Sequence, residues 1–362
     1  MTSSVYIHIP FCNSICSYCA FTKLLSNSKN IDDYLIALEK EIKSKYQGEI
    51  IKTLYIGGGT PSVLSLEQLK KLSEIIKLFN FSEKIEFTFE VNPESIDLEK
   101  IKLLKGMGVN RISMGVESSL PKNLAYLKRN HDFNLVKEKI FLIKKYIKNI
   151  NVDLIYGLKE ETLVDLEKDL DNILSLDINH ISTYSLMIED NTYLKIKGEQ
   201  EIDEDLDNSM YQLIIKKLTN NGFRHYEISN FSKPGYESRH NLVYWHNDTY
   251  YGFGLGASGY LDNIRYQNVI SLKKYLSGNY VENEETLSKQ DILSYALILG
   301  FRKIDGINKK EFFNKYQVNI LDLYNIKDLI KEGLIIDNGS NLFISYDKIY
   351  IENSILINFV GE

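Results

Sequence analysis

This chain has little cysteine and no strong excess of either charge. Its 362 residues hold three cysteines, and 43 Lys and Arg stand against 49 Asp and Glu. A net charge of −6 argues against a broad nucleic-acid-binding surface, which needs clustered cations. No run of about 18 apolar residues occurs, so no membrane-spanning helix is expected. The opening Met1-Thr2-Ser3-Ser4-Val5-Tyr6 lacks a basic stretch followed by an apolar one, and no secretory leader is expected there. Three cysteines committed to one site leave none for disulfides, which points to a reducing cytoplasm. What remains is ordinary soluble composition, 44% hydrophobic and 25% charged. The length suits one large domain plus a small one, or two of medium size.

All three cysteines lie in Phe11-Cys12-Asn13-Ser14-Ile15-Cys16-Ser17-Tyr18-Cys19-Ala20-Phe21. The spacing is Cys-x3-Cys-x2-Cys. Thiolates this close converge on one object, and a metal centre is the natural one. Iron–sulfur clusters usually take four thiolates. Three leave one iron open, and an open position marks a metal site that binds a ligand or does chemistry. The competing readings are a redox Cys-x2-Cys pair, a zinc site completed by His8, and inert buried thiols.

The chain alternates strand and helix patterns. Strands are expected at Val5–Ile9, Thr53–Ile56, Ile85–Val91, Arg111–Val116, Val152–Tyr156, Ile181–Leu186 and Phe223–Ser229. Helices are expected at Ile31–Lys45, from Ser65 with a capping box to Gln68, and at Asp97–Lys105, Phe133–Ile147, Leu163–Leu176 and Asp205–Asn220. Such alternation implies parallel strands with right-handed crossovers. About six units are too few for an eightfold barrel, so an α/β fold with an open, partial (β/α)6 barrel fits. The expected organisation is a core over 1–230, an irregular aromatic and glycine-rich connecting segment over 231–285, and a small winged-helix-like α+β domain over 286–362. In that last domain, helices are expected at Ser288–Phe301, Asn308–Lys315 and Leu321–Glu332, with a hairpin over Leu334–Ser345. Its near-balanced charge does not suit a phosphate backbone, which favours a structural or covering role over DNA binding.

Several short motifs sit at expected strand ends, where such folds place function. Gly57-Gly58-Gly59-Thr60-Pro61 follows the second strand, and glycine there permits close ligand approach. Glu90 and Glu117 end the third and fourth strands. Asp153 lies in Val152-Asp153-Leu154-Ile155-Tyr156-Gly157-Leu158, and Arg129 in Leu127-Lys128-Arg129-Asn130-His131. Each alone reads as a tight turn, a loop acid or a salt-bridge partner.

Together with the cysteines, these motifs resemble the radical S-adenosylmethionine family. That resemblance implies a [4Fe–4S] cluster on Cys12, Cys16 and Cys19, with S-adenosylmethionine chelating the fourth iron. It implies cofactor contacts from Tyr6, Tyr18, Gly58, Gly59, Thr60, Glu90, Glu117, Arg129 and Asp153. The family usually has Gln at the position of Glu117, which puts that contact in doubt.

Tyr6-Ile7-His8-Ile9-Pro10-Phe11-Cys12, the triglycine turn and the Asp153 strand narrow the resemblance to the oxygen-independent coproporphyrinogen III oxidase group. This group contains true oxidases and haem chaperones. The oxidase carries a fourth cysteine where this chain has Phe21, and a long extension where eleven residues precede Cys12. Arg239-His240-Asn241-Leu242-Val243-Tyr244-Trp245 resembles the chaperone branch's haem motif. The resemblance implies haem contacts from His240, Asn241, Tyr244 and Trp245, and because a carrier must release its cargo the segment is expected to be exposed and mobile. It implies delivery to haem-accepting apoproteins, with respiratory membrane proteins among the candidates, from a cytoplasmic location that allows peripheral membrane contact. The alternative is radical decarboxylation of coproporphyrinogen III.

Overall fold

The computed structural model describes residues 2–360. Six strands carry the expected alternation. They are β1 (Ser4–Ile9), β4 (Ile50–Gly58), β5 (Asn80–Val91), β6 (Arg111–Glu117), β7 (Asn149–Tyr156) and β8 (His180–Ser185). Two short strands, β2 (Phe11–Cys12) and β3 (Leu24–Leu25), pair with each other and tie down the cysteine loop. Neighbours from β1 to β8 in the main sheet run parallel. At one edge β11 (Tyr251–Phe253) adds a further parallel strand beside β1. At the other, β10 (Asn230–Ser232) and β9 (Arg224–Glu227) pair antiparallel. The nine-stranded order is β11-β1-β4-β5-β6-β7-β8-β10-β9.

The period of two along each strand sorts its residues. Leu54 and Ile56 of β4, Phe87 and Phe89 of β5, and Ile112 and Met114 of β6 join one apolar core. The crossover helices complete it, among them α1 (Ser28–Lys45) through Tyr34, Leu35, Leu38 and Ile42, and α2 (Leu66–Ile76) through Leu69 and Leu72. The expected capping box at α2 is present, with Ser65 and Gln68 bonding reciprocally. The alternate positions carry the other face of the sheet. Here sit Thr53, Tyr55, Glu86, Thr88, Glu90, Arg111, Ser113, Asn151, Asp153 and His180, many of them buried. Buried polar and charged groups are the informative departure from an apolar interior. This inner face is therefore where function is sought.

The segment expected to be irregular is instead ordered. Besides β11 it holds the helix α9 (Arg239–Trp245) and two strands, Ser258–Leu261 and Ile264–Asn268, of a small antiparallel sheet with Val281–Thr286. Towards the C-terminus, helices Lys289–Gly300 and Lys309–Tyr316 pack with a three-stranded antiparallel sheet around Leu297, Phe301, Leu342 and Phe359. The helix expected over Leu321–Glu332 is shorter. A 3-10 turn over Ile320–Asp322 comes first, Tyr324 adopts a positive φ of 42°, and the α-helix covers only Ile326–Lys331. Among the described residues no helix is long and apolar enough to cross a membrane.

Candidate functional site

A cavity of about 470 Å³ opens at the C-terminal ends of the parallel strands. Its wall includes Cys12, Cys16 and Cys19 together with Tyr18, Gly58, Gly59, Thr60, Glu90, Glu117, Arg129 and Asp153. Strand ends from β4 to β7 and one loop thus bring together residues spread over some 140 positions of sequence. Of the expected cofactor residues, Tyr6 alone is not on this wall. Its hydroxyl instead bonds His8 Nδ1 at 2.9 Å.

The three thiols line the cavity without converging on a point. Among the described residues no three metal-binding side chains cluster as they would around a single ion. In an iron–sulfur cluster, separate irons take separate thiolates. His8 is also unavailable as a fourth ligand. Its Nε2 pairs with the Thr22 carbonyl at 2.8 Å, and burial holds its pKa down at about 4. Two neighbours reach the sulfurs. Thr60 Oγ1 lies 3.6 Å from Cys12 Sγ and Arg129 Nη1 3.5 Å from Cys16 Sγ.

Burial raises three of the acids around the cavity. Burial pushes Glu90 up to about 7, against a hydrogen bond from Tyr55 Oη (2.7 Å) and one from the Gly58 N–H (3.0 Å). Burial likewise pushes Glu117 up to about 7, opposed by the Arg129 guanidinium 4.0 Å away. Asp153 is raised by burial too, while Asn151 and Ser113 donate to it. Glu90 and Glu117 can therefore accept or donate hydrogen bonds to a polar ligand without a large fixed charge.

The triglycine turn is shaped by the chain's own packing. A Cβ on Gly57 would meet the Glu90 carboxyl at 2.7 Å, and one on Gly58, at φ +118°, the His8 ring at 2.7 Å. A Cβ on Gly59 would meet Cys12 Sγ at 2.9 Å. A Gly58→Val side chain would therefore strike His8 before it reached any ligand, and would disturb the turn itself.

Sequence reasoning missed two residues here. Asn92 bridges the site, donating to Thr60 Oγ1 at 3.2 Å and accepting from Arg129 Nη2 at 3.0 Å. Tyr55 carries Glu90. Both had a signal, since Asn92 follows Glu90 at a strand end and Tyr55 stands two residues before Gly57 on the inward face.

The residues of the expected haem motif lie elsewhere. They form α9, whose N-terminus Ser238 caps by accepting from the Asn241 N–H. Glu86 accepts from the N–H groups of Arg239 (3.0 Å) and His240 (2.9 Å). The His240 ring is 1% exposed. Its Nδ1 pairs with Thr53 Oγ1 at 2.9 Å and its Nε2 with Tyr244 Oη at 2.8 Å. Burial, with the Arg111 charge, holds its pKa down at about 3. Thr53 stands five residues before Gly58 on β4, about 16 Å down the strand at 3.3 Å per residue. The motif thus closes the floor of the barrel beneath the cavity, with the His240 ring 5.2 Å from the ring of Tyr55, the residue that carries Glu90. The expectation of an exposed, mobile segment is corrected: Glu86 anchors the helix and both His240 nitrogens are occupied.

A partial parallel barrel with three cysteines and a glycine turn at its open end defines a radical S-adenosylmethionine protein. Residues 6–173 match the radical SAM superfamily and residues 287–345 the HemN C-terminal domain. The solved coproporphyrinogen III oxidase (HemN) of Escherichia coli shares the fold, with a TM-score of 0.86 at 22% identity over 99% of this chain and 90% of that one. Closer in sequence are two proteins named heme chaperone HemW. That of Lactococcus lactis is 38% identical, over 99% of this chain and 97% of its own length. That of Bacillus subtilis is 38% identical over 99% of both chains. The chain belongs to the HemW family.

Proposed function

We propose that this chain is a haem chaperone that carries a [4Fe–4S] cluster and S-adenosylmethionine and passes haem to acceptor proteins. The observation that carries the reading is 38% identity to heme chaperones along almost the whole chain, small C-terminal region included. The donor set at the mouth fits the two cofactors. Cys12, Cys16 and Cys19 would hold the cluster, which supplies one-electron chemistry when bound. Gly58, Gly59 and Thr60 would offer backbone and hydroxyl groups to the amino acid end of S-adenosylmethionine. Glu90, Glu117, Asp153 and Tyr18 would orient its polar groups, and Arg129 would balance charge beside Cys16. Tyr6 would act only at a distance, by fixing His8 under Gly58. His240, Asn241, Tyr244 and Trp245 would contact haem only if α9 first left Glu86 and Thr53. Respiratory membrane proteins are the acceptors we favour, reached from the cytoplasmic side by transient membrane contact.

The test is anaerobic reconstitution followed by parallel haem titration and coproporphyrinogen III turnover. We expect a Soret band at one haem per chain and no decarboxylation. Turnover with no haem uptake would overturn the reading in favour of the oxidase.

A further inference from the structure

We propose that haem seats at the cofactor mouth itself, capped by Phe21 and ligated by the thioether of Met187. This inference rests on the haem-chaperone reading and names where its cargo sits while α9 is closed.

The argument begins with the donors that iron can reach. Haem iron takes His, Met, Cys or Tyr ligands. The chain has six histidines. His8, His180, His225 and His240 are buried. His131 has no exposed side chain and bonds the Val116 carbonyl. Only His246 is exposed. It lines a basal cavity of about 740 Å³ whose wall carries Arg224, Glu237, Arg239, Lys303 and Asp305. Such charged walls do not suit the face of a porphyrin. The mouth differs. Ile15, Phe21, Leu186 and Met187 line it, and Phe21 and Met187 are 69% and 62% exposed. Large exposed apolar groups beside a cavity are a binding signal. Met187 is the soft donor among them.

Charge supplies the second observation. Haem is flat and apolar with two carboxylates. Lys23 and Lys128 both line the mouth, and among the described residues neither ammonium pairs with a carboxylate. Lys23 Nζ donates to the carbonyls of Cys19 and Phe21, at 2.5 and 3.3 Å. Lys128 Nζ lies over the Tyr193 ring, 3.2 Å from its centre. Two cations without counter-ions beside an apolar rim match a dianionic porphyrin. Glu90, Glu94, Glu117, Asp153 and Glu189 also line this cavity, and the carboxylates of such a ligand must stay clear of them. Binding forms one dative bond from the Met187 sulfur to iron. It displaces a weak axial ligand, and no proton or electron moves.

The experiment titrates ferrous and ferric haem into the full chain, reconstituted with its cluster and loaded with S-adenosylmethionine. Met187→Ala should weaken haem about ten-fold and remove the spectroscopic signature of thioether ligation. Phe21→Ser should weaken it by a similar factor. Lys23→Gln with Lys128→Gln should weaken haem but leave binding of its dimethyl ester unchanged. His246→Ala should bind haem normally. Normal haem affinity in Met187→Ala and Phe21→Ser would overturn the seat, as would loss of haem in His246→Ala. Rim variants that bind haem normally but fail to pass it on would make this a protein-docking face, and would also overturn it. A wild type that takes up no haem at all would sink the chaperone reading, which the variants alone cannot do.

Discussion

The two ends of the barrel are built from the same strands and behave as opposites. At the mouth, strand ends present to one cavity three thiols, two carboxyls poised near neutral pH and a guanidinium with an unpartnered Nε. At the floor, His240 has both nitrogens bonded and Glu86 spends both oxygens on the backbone of α9, while among the described residues the buried Arg111 Nε lacks a partner and no cavity of the mouth's kind reaches it. Groups left short of partners in a cavity are ready for a ligand. Groups fully satisfied by their neighbours hold a fold together. A motif's sequence does not say which of these it will be.

The sharpest way to break this contrast is at the thiols. Cys→Ser at Cys12, Cys16 or Cys19 should reduce cluster iron from about four per chain to none after reconstitution. The floor shares no residue with the thiols, so apo variants should melt close to the apo wild type. Retained iron in any of the three, measured by colorimetric iron assay, would break the assignment.

His240→Ala should do the reverse. It removes a buried ring and leaves Thr53 and Tyr244 without their partner, so unfolding free energy should fall by about 2–4 kcal/mol. Iron uptake should be unchanged. Denaturant titration beside an iron assay separates the two. A wild-type midpoint would mean that the floor is not the closed structure described.

Acidity should also split the ends, since their perturbed groups shift in opposite senses. Glu90 is raised to about 7 from 4.5, so the folded protein holds its proton more tightly than the unfolded chain. Its contribution is full below pH 4.5 and is lost as pH rises to about 7. His240 is lowered to about 3 from 6.5, so its neutral form favours folding. Its contribution is full above pH 6.5 and is lost as pH falls towards 3. In the apo protein, Glu90→Gln should therefore gain on wild type by up to about 3 kcal/mol between pH 4.5 and 7. A stability difference that stays flat over that window would show that Glu90 is not held neutral.

How far was all this legible in the chain? The alternation of strand and helix, the capping box at Ser65 and the mouth residues were, because their signals are local. Gly58, Glu90, Glu117 and Asp153 each end or flank a strand, and parallel strands must bring such ends together. The floor was not legible. His240 is buried because Thr53 and Glu86 lie beneath it, 187 and 154 residues away in sequence. Nothing within the motif reports a partner so distant. Aromatics between glycines instead suggest a loop. Tyr6 misled for a related reason. Period two turns both Tyr6 and His8 to the same face, and the two pair with each other before either meets a ligand.

The finest comparison uses one substitution at both ends. Thr53 and Thr60 lie on and just after β4, and Thr→Val keeps their shape while removing the hydroxyl. Thr53 Oγ1 is hydrogen-bonded to His240 Nδ1 and buried, so Thr53→Val should cost about 1–2 kcal/mol of stability. Thr60 accepts from Asn92 and reaches a sulfur at 3.6 Å, a longer and weaker contact. Thr60→Val should therefore cost about 1 kcal/mol or less in the apo protein. Its larger effect should appear only when the cluster is present, as a lower reduction potential, because a hydroxyl near a thiolate stabilises the more negative, reduced state. Thr53→Val should leave that potential unmoved. Equal shifts in both variants would mean that the ends communicate, and the division between mouth and floor would have to be abandoned.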